Sequence, residues 1–259
     1  MYMKRVMLTI RDLVILVILG LIPLEIGMAA NYVLKGNFDF TFRYLSMILI
    51  LAGGLIALKA FRSKGDFEIP KDRRAPGALY LWYTLFGLMS ALLPISFIIH
   101  GAPADEETSF DLVKQLNAML AAPLAEEIIC RCLLTHIIKR GGSSKALCIF
   151  TAIATSAVWC LPHCHGVSLM SLRIIILGLT ASIVYQVTGN LKLCILEHAA
   201  NNIGVTIAIL AGRQIGSTAA VVIFAVISAA AVTGLIREMA KYFGKGRTGA
   251  AIRAAAAMH

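Results

Sequence analysis

The feature that most constrains this chain is a series of long apolar segments, each about long enough to cross a bilayer as a helix. Only helices or closed barrels satisfy the backbone hydrogen bonds of a spanning segment. We count about eight such segments, which predicts an all-α, polytopic transmembrane helical bundle. The predicted spans are Leu13 to Val33, Tyr44 to Phe61, Leu79 to Ile99, Leu112 to Ile138, Ala146 to Leu161, Leu169 to Val187, Leu191 to Ala211 and Ala219 to Ile236.

The composition supports a chain that faces lipid. Of its 259 residues, 59% are hydrophobic and 15% are charged, whereas a soluble domain is usually about a quarter charged. The formal net charge is +10, and most of the Lys and Arg residues lie at the ends of the apolar runs. In that position they indicate topology and contacts with membrane lipid head groups rather than nucleic-acid binding. The six cysteines lack the spacing of a disulfide framework, so we expect reduced, buried thiols.

The basic residues also predict the orientation of the bundle. With the N-terminus inside, four basic groups fall on the cytoplasmic side, and the opposite side receives only scattered charges. These groups are Lys4, Arg5 and Arg11; Arg62, Lys64, Lys71, Arg73 and Arg74; Lys139, Arg140 and Lys145; and Arg237, Lys241, Lys245, Arg247 and Arg253. Both termini of this multi-pass protein of the cell membrane are therefore expected to be cytoplasmic.

We expect a single domain at residues 1–243, since no soluble domain fits between the spans. The first apolar run follows basic residues, but its length and its Pro23 and Glu25 favour a span over a signal peptide. The segment 244–259 is basic, rich in small residues and low in complexity, so we expect it to be disordered.

An ionisable side chain in a membrane helix costs about 2.5–3.5 kcal/mol on insertion scales, so each one is a functional candidate. The fourth span carries Glu126, Glu127 and Arg131. Glu127 and Arg131 are four residues apart, so on a helix they share a face and can pair. Glu126 points about 100° away from Glu127. We therefore expect Glu127 and Arg131 to neutralise each other and Glu126 to be free for chemistry.

Two further spans bring imidazoles. His198 and Asn202 lie four residues apart in the seventh span and offer two hydrogen-bond donors, which suits a developing oxyanion. Trp159 and His163 lie at the end of the fifth span. A buried carboxylate and an imidazole can together deprotonate a water molecule. The three motifs together predict a peptide-bond hydrolase without a covalent intermediate, although each motif alone is also compatible with helix packing.

In order and spacing, these residues resemble the CPBP membrane proteases, a group that includes the CAAX prenyl endopeptidases. The pattern of that group is E-E-x-x-x-R, then F-x-x-x-H, then H-x-x-x-N. The corresponding residues here are Glu126, Glu127 and Arg131, then Trp159 and His163, then His198 and Asn202. They lie in a core of about residues 112–211. Trp159 replaces the usual phenylalanine, and His165 competes with His163 for its role.

The resemblance implies a role for each motif residue. Glu126 and His163 would activate the water, and His198 and Asn202 would form the oxyanion hole. Glu127, Arg131 and Trp159 would support the site. The implied function is a glutamate-dependent intramembrane endopeptidase that uses no metal or other cofactor, with its cavity open toward the cytosol. Its substrate would be a membrane-associated or lipidated peptide or a small membrane protein, and the compact chain favours a leader peptide over a prenylated protein.

Three other functions stay open. A zinc-dependent protease could bind its metal through Glu126, His163 and His198 with Cys160, Cys164 or His165, although the chain has no H-E-x-x-H motif. Proteins of the resembling group are also linked with bacteriocin immunity and with the regulation of membrane sensors, which could depend on binding alone. A transporter would be expected to show paired broken helices or an internal repeat, and neither is evident.

The depths of the two histidines do not agree in a simple bundle. In a straight fifth helix from Ser144, His163 would lie about 28 Å along the axis, at 1.5 Å per residue. By the same rise His198 would lie only about 12 Å from the cytoplasmic end of its own helix. Either the start of the fifth segment lies outside the bilayer or its helix is strongly tilted.

Overall fold

The computed structural model describes residues 2–18, 22, 40–62, 75–100, 115–140, 144–161, 163 and 168–256. Within these ranges the chain forms eight helices and no strand, which confirms the all-α fold class. The helices are α1 (Tyr2–Leu16), α2 (Phe40–Arg62), α3 (Gly77–His100), α4 (117–139), α5 (Lys145–Cys160), α6 (Leu169–Thr188), α7 (Leu191–Ala211) and α8 (Thr218–Ala256), and a 3-10 turn at Gly212–Gly216 joins the last two.

Four of the helices in the described part of the chain are long and apolar enough to cross a membrane. They are α3, α6, α7 and residues Thr218–Tyr242 of α8. Helix α5 has 16 residues, which gives about 24 Å and falls short of a bilayer core of about 30 Å. The predicted membrane protein is therefore supported, and four of its eight predicted spans meet this test of length and composition.

The two ends of the chain differ from the sequence prediction. Helix α1 begins at Tyr2 rather than Leu13, because apolar residues recur at helical spacing among the polar ones of this segment. Most of the predicted first span, 13–33, lies outside the described residues. Helix α8 continues to Ala256, through a segment that we expected to be disordered. Alanine has the highest helix propensity, and the end of α8 is rich in it.

Helix α4 alternates between π-helical and α-helical geometry. A π-helical segment at Asn117–Ala121 is followed by α-helix at Ala122–Glu127, a second π-helical segment at Ile128–Leu134 and a final α-helical turn at Thr135–Lys139. Pro123 lies inside this helix and has no N–H for the helical ladder, which is a common cause of such a change. Isolated π-helical turns are frequent at functional sites.

A tight turn fixes the start of α7. Gly189 ends α6 in the left-handed conformation at φ 65°, which glycine adopts without steric cost. Its N–H donates to Tyr185 O at 2.7 Å. The next residue, Asn190, accepts from Leu193 N at 3.3 Å and donates from Nδ2 to the Tyr80 hydroxyl at 2.7 Å. This turn ties the first residues of α7 to α3 and sets the direction of the helix that carries His198.

Helices α3 and α7 approach each other closely at two glycines. A Cβ atom on Gly87 would lie 2.2 Å from Glu197 O, and one on Gly204 would lie 2.8 Å from Leu88 O. Small residues at such positions let two membrane helices pack backbone against backbone. We call this contact, formed by Gly87, Leu88, Glu197 and Gly204, the glycine seam.

Candidate active site

The two adjacent glutamates lie at the end of the α-helical segment of α4, where the second π-helical segment begins. Both are buried, with 3% exposure for Glu126 and 1% for Glu127. Helix α2 packs closely behind them, since a Cβ atom on Gly54 would lie 3.0 Å from Ala125 Cα. The two carboxylates accept hydrogen bonds from different residues, Glu126 from Trp159 and Glu127 from His198.

Glu127 is held by one cation and one imidazole. Arg131 Nε lies 3.2 Å from Glu127 Oε2, so the predicted ion pair is present. The other oxygen, Oε1, lies 3.0 Å from His198 Nδ1. Arg131 is fully buried, and its Nη1 donates to Thr155 O of α5 at 3.2 Å. Glu127 therefore links three helices and fixes the orientation of the His198 ring.

Glu126 receives its hydrogen bond from an aromatic side chain. Trp159 Nε1 donates to Glu126 Oε2 at 2.6 Å, and both residues are buried. The Trp159 ring stacks on His163 with centroids 5.0 Å apart and meets the edge of His198 at 5.2 Å. The Arg131 guanidinium lies over the same ring, 5.2 Å from its centroid. Trp159 thus contacts four residues of the three motifs.

Both imidazoles present Nε2 to the same carboxylate oxygen. His163 Nε2 lies 3.8 Å and His198 Nε2 lies 3.9 Å from Glu126 Oε2. Each ring donates from Nδ1, His163 to Trp159 O at 2.8 Å and His198 to Glu127, because those oxygens can only accept. The different helical positions of the two histidines therefore do not keep them apart in space. His163 is 30% exposed, so this side of the cluster is the accessible one.

Asn202 lies one turn after His198, and its amide is engaged with α4. Its Nδ2 donates to Ala118 O at 2.6 Å, in the first π-helical segment. The residue five positions after Ala118 is Pro123, which has no N–H to offer this carbonyl in a π-helical ladder. Asn202 therefore satisfies a backbone acceptor that the proline leaves free. An amide nitrogen carries two hydrogens, and this bond uses one of them.

A second polar cluster, which the sequence motifs do not include, adjoins Asn202. Asn201 Nδ2 donates to Asn202 Oδ1 at 2.9 Å, which fixes which way the Asn202 amide faces. Asn201 Oδ1 accepts from Arg173 Nη1 at 2.5 Å and from Ser90 Oγ at 3.2 Å. Glu197, only 1% exposed, lies just before His198. Arg173 and Glu197 are ionisable residues inside apolar runs, so the criterion that identified Glu126 would also have found them.

An apolar cavity of about 200 Å³ lies beside this cluster, between α3, α6 and α8. Arg173 and Ser90 contribute to its wall, and the rest of the lining is mostly hydrophobic. The hydrophobic part includes Phe86, Met89, Leu93, Leu172, Ile176 and Val232. The cavity and Asn202 are therefore connected through Arg173 and Asn201.

The residues named for the zinc alternative are only partly described. Among the described residues, no three His, Cys, Asp or Glu side chains are placed to hold a metal ion. Cys160 directs its thiol to Ile174 O at 3.6 Å. Cys164 and His165, including the proposed competition of His165 with His163, lie outside the described residues.

The fold and the cluster define a class: an α-helical membrane protein with a buried carboxylate beside two imidazoles. Residues 108–204 match the family model described as Type II CAAX prenyl endopeptidase Rce1-like. The matched segment covers less than half of the chain but includes every residue of the three motifs, and it confirms the resemblance. No curated protein and no solved structure matches the chain.

Proposed function

We propose that this protein is an intramembrane endopeptidase that hydrolyses a peptide bond with a water molecule activated by Glu126 and His163. The observation that carries the proposal is the position of Glu126 Oε2, 3.8 Å from His163 Nε2 and 3.9 Å from His198 Nε2. These distances are too long for direct hydrogen bonds but suit a bridging water molecule. His163 is the more exposed of the two rings, so water and substrate would enter from its side.

In the proposed reaction, the water oxygen attacks the peptide carbonyl carbon while its proton passes to Glu126. The carbonyl oxygen gains negative charge in this step, and hydrogen-bond donors placed at that point lower the barrier. His198 and Asn202 would supply these donors. Because His198 Nδ1 already donates to Glu127, His198 must carry a second proton on Nε2 to act as a donor. The C–N bond then breaks, and the proton goes to the leaving amine.

The substrate that we propose is a membrane-associated or lipidated peptide or a small membrane protein. The apolar cavity beside Arg173 supports this, since its lining suits an aliphatic side chain or a lipid chain rather than a hydrated segment. Arg173 and Ser90 in its wall both bond to Asn201, which in turn donates to Asn202, so the cavity is linked to that proposed oxyanion donor through two side chains.

The test compares Glu126→Gln with the unmodified protein in proteoliposomes. Substrates are peptide libraries of the same sequences in prenylated and unmodified form, and products are identified by mass spectrometry. We expect Glu126→Gln to lose cleavage by about 10²–10⁴-fold, the usual contribution of a general base. Glu238→Gln is the matched control. Glu238 is also a buried glutamate, but it lies on α8 and pairs with Lys241 of the same helix.

Each other outcome names a different function. Equal cleavage by Glu126→Gln and the unmodified protein would contradict the proposal. Loss of cleavage in the unmodified protein on addition of a chelator, restored by zinc, would support the zinc-dependent protease. Absence of cleavage, with immunity to a bacteriocin retained by Glu126→Gln cells, would support a role through binding alone. Cleavage of prenylated peptides only would identify a CAAX-type substrate and exclude an unmodified leader peptide.

A further inference from the structure

Trp159 donates its hydrogen bond to the same Glu126 oxygen that faces both imidazoles. Trp159 Nε1 donates to Glu126 Oε2 at 2.6 Å, and the same Oε2 atom faces Nε2 of His163 and of His198. A carboxylate oxygen has two lone-pair directions in its plane. The indole occupies one of them, which leaves one direction for a water molecule or a proton.

The indole is held so that it cannot turn away from Glu126. One face stacks on His163 at an interplanar angle of 28°, and His198 meets the ring edge-on at 87°. Gly178 of α6 closes the third side, since a Cβ atom there would lie 3.0 Å from Trp159 Cε3. Moving the indole would therefore displace both imidazoles or helix α6.

A phenylalanine, the residue expected at this position from the motif, could make the ring contacts but has no N–H. An N–H donor fixes the direction of the carboxylate oxygen that accepts from it, and hydrogen bonds to charged groups are stronger than neutral ones. The ionised carboxylate is the form that can accept a proton from water.

We propose that Trp159 is a positioning residue, whose indole N–H fixes the direction of Glu126 Oε2 for proton transfer. The inference rests on the proposed function for its catalytic consequence, but the bond itself can be tested without activity. Trp159 touches neither the attacking water nor the substrate in this scheme and acts through Glu126 alone.

The first experiment measures the bond by ultraviolet resonance Raman spectroscopy of the indole N–H. The chain has two tryptophans, so the difference between the unmodified protein and Trp159→Phe isolates the signal of Trp159. We expect Glu126→Ala to shift the hydrogen-bond-sensitive band of Trp159 toward that of a weaker bond, and Glu238→Gln to leave it in place. A Trp159 band that Glu126→Ala does not move would overturn the proposal, whatever the activity of the protein.

The second experiment measures kcat and KM separately for Trp159→Phe. Phenylalanine keeps an aromatic ring between the two imidazoles, so folding should be retained and is checked by thermal unfolding. We expect a loss of about ten-fold or more in kcat/KM, the size of one charge-assisted hydrogen bond. The loss should appear in kcat rather than in KM, because Trp159 acts on the proton transfer through Glu126 and not on substrate binding.

The two experiments separate the inference from the proposed function. A residue that only packs would lower the amount of folded protein, or would change KM along with kcat instead of lowering kcat alone. That result, with a normally folded Trp159→Phe protein, would contradict the positioning role. If no substrate is cleaved by the unmodified protein, the proposed function fails, and the Raman band still decides whether Trp159 holds Glu126.

Discussion

Helix α7 meets its neighbours in two different ways. Toward α4 and α5 it reaches with polar side chains, since His198 contacts Glu127, Glu126 and the Trp159 ring. Toward α3 it packs through backbone, where Gly87 and Gly204 leave no space for a Cβ atom. The site is thus a cluster of buried charges between helices, whereas the glycine seam brings two backbones together, with the bond from Ser90 to Asn201 as a polar contact between the same two helices.

The difference shows how one helix can carry a buried polar cluster on one face and pack closely against a neighbouring helix with the other. Lipid is as apolar as the helix surfaces, so membrane helices associate through close packing and polar contacts rather than through the hydrophobic effect. Buried ion pairs are expensive to desolvate and often add little net stability. The seam therefore holds α3 against α7 through their backbones. Glu127 and Arg131 form a buried ion pair within the polar cluster instead.

The largest predicted effect tests whether the charges of the site act as a set. Arg131→Met removes the cation that lies 3.2 Å from Glu127 and leaves a buried carboxylate with His198 as its remaining hydrogen-bond partner. Loss of one member of a buried pair costs about 3–5 kcal/mol. We expect that loss in the free energy of unfolding, measured by denaturant titration in detergent micelles.

Two companion variants sharpen this result. Glu127→Gln in the Arg131→Met background should recover part of the lost stability, because the unpaired charge is gone. Arg237→Met, at an exposed arginine of α8, is the control and should change stability little. If Arg131→Met alone unfolds like the unmodified protein, the charges are not coupled, and the distinction between the two faces of α7 is lost.

Local rules predicted the parts of the site that depend on one helix, and failed where helices meet. The spacing of Glu127 and Arg131 predicted their ion pair, and the structure contains it. The bonds from Trp159 to Glu126 and from Asn202 to Ala118 each join two helices. The spacing of residues within one helix cannot predict how two helices are placed relative to each other. The motifs could indicate that these residues share a site but not which atoms touch.

The same limit explains the differences in the fold. Apolar runs predicted α3, α6 and α7 well, because length and hydropathy largely determine a span. The π-helical segments of α4 were not predicted, since Pro123 signals a disturbance of a helix but not its form. Gly87 and Gly204 lie in different helices, so no spacing within one segment reveals that they face the same contact.

The second prediction tests the seam. In Gly87→Ala, the new methyl group would lie 2.2 Å from Glu197 O, so α3 and α7 must separate. Overpacking of this kind costs about 1–3 kcal/mol. We expect the variant to lose that stability in thermal unfolding in micelles. Because Glu197 directly precedes His198, the His198 contacts should loosen as well.

Gly77→Ala provides the matched control for this change. Gly77 lies at the start of the same helix, and a Cβ atom there would meet nothing within 4 Å. The substitution should leave stability unchanged or raise it slightly, because alanine has the higher helix propensity. Equal unfolding of Gly87→Ala and Gly77→Ala would show that the seam does not hold α3 against α7, and cohesion would then have to come from the polar face.

The smallest predicted effect lies away from both faces, where α1 docks on the end of α4. Asp12 is fully buried and contacts Arg11 Nε at 2.9 Å and Arg140 Nη1 at 2.5 Å. Burial alone would raise the pKa of Asp12, but the hydrogen bonds and charges of Arg11 and Arg140 outweigh it and hold this pKa below its ordinary value. The contact also places the basic segments around Arg11 and Arg140 at the same end of the bundle.

A lowered pKa in the folded state means that the ionised Asp12 stabilises the fold at neutral pH. This contribution is complete above the ordinary aspartate value of about 3.9 and is lost as the pH falls through the lower pKa of the folded state. Asp12→Asn should therefore be less stable than the unmodified protein at pH 7, and the difference should shrink in acid. Hydrogen exchange of α1, measured at pH 7 and in steps toward about pH 3, follows the docking directly. A difference that stays constant with pH would show that Asp12 acts by its shape alone, and α1 would then be held by its apolar face, as the glycine seam holds α3.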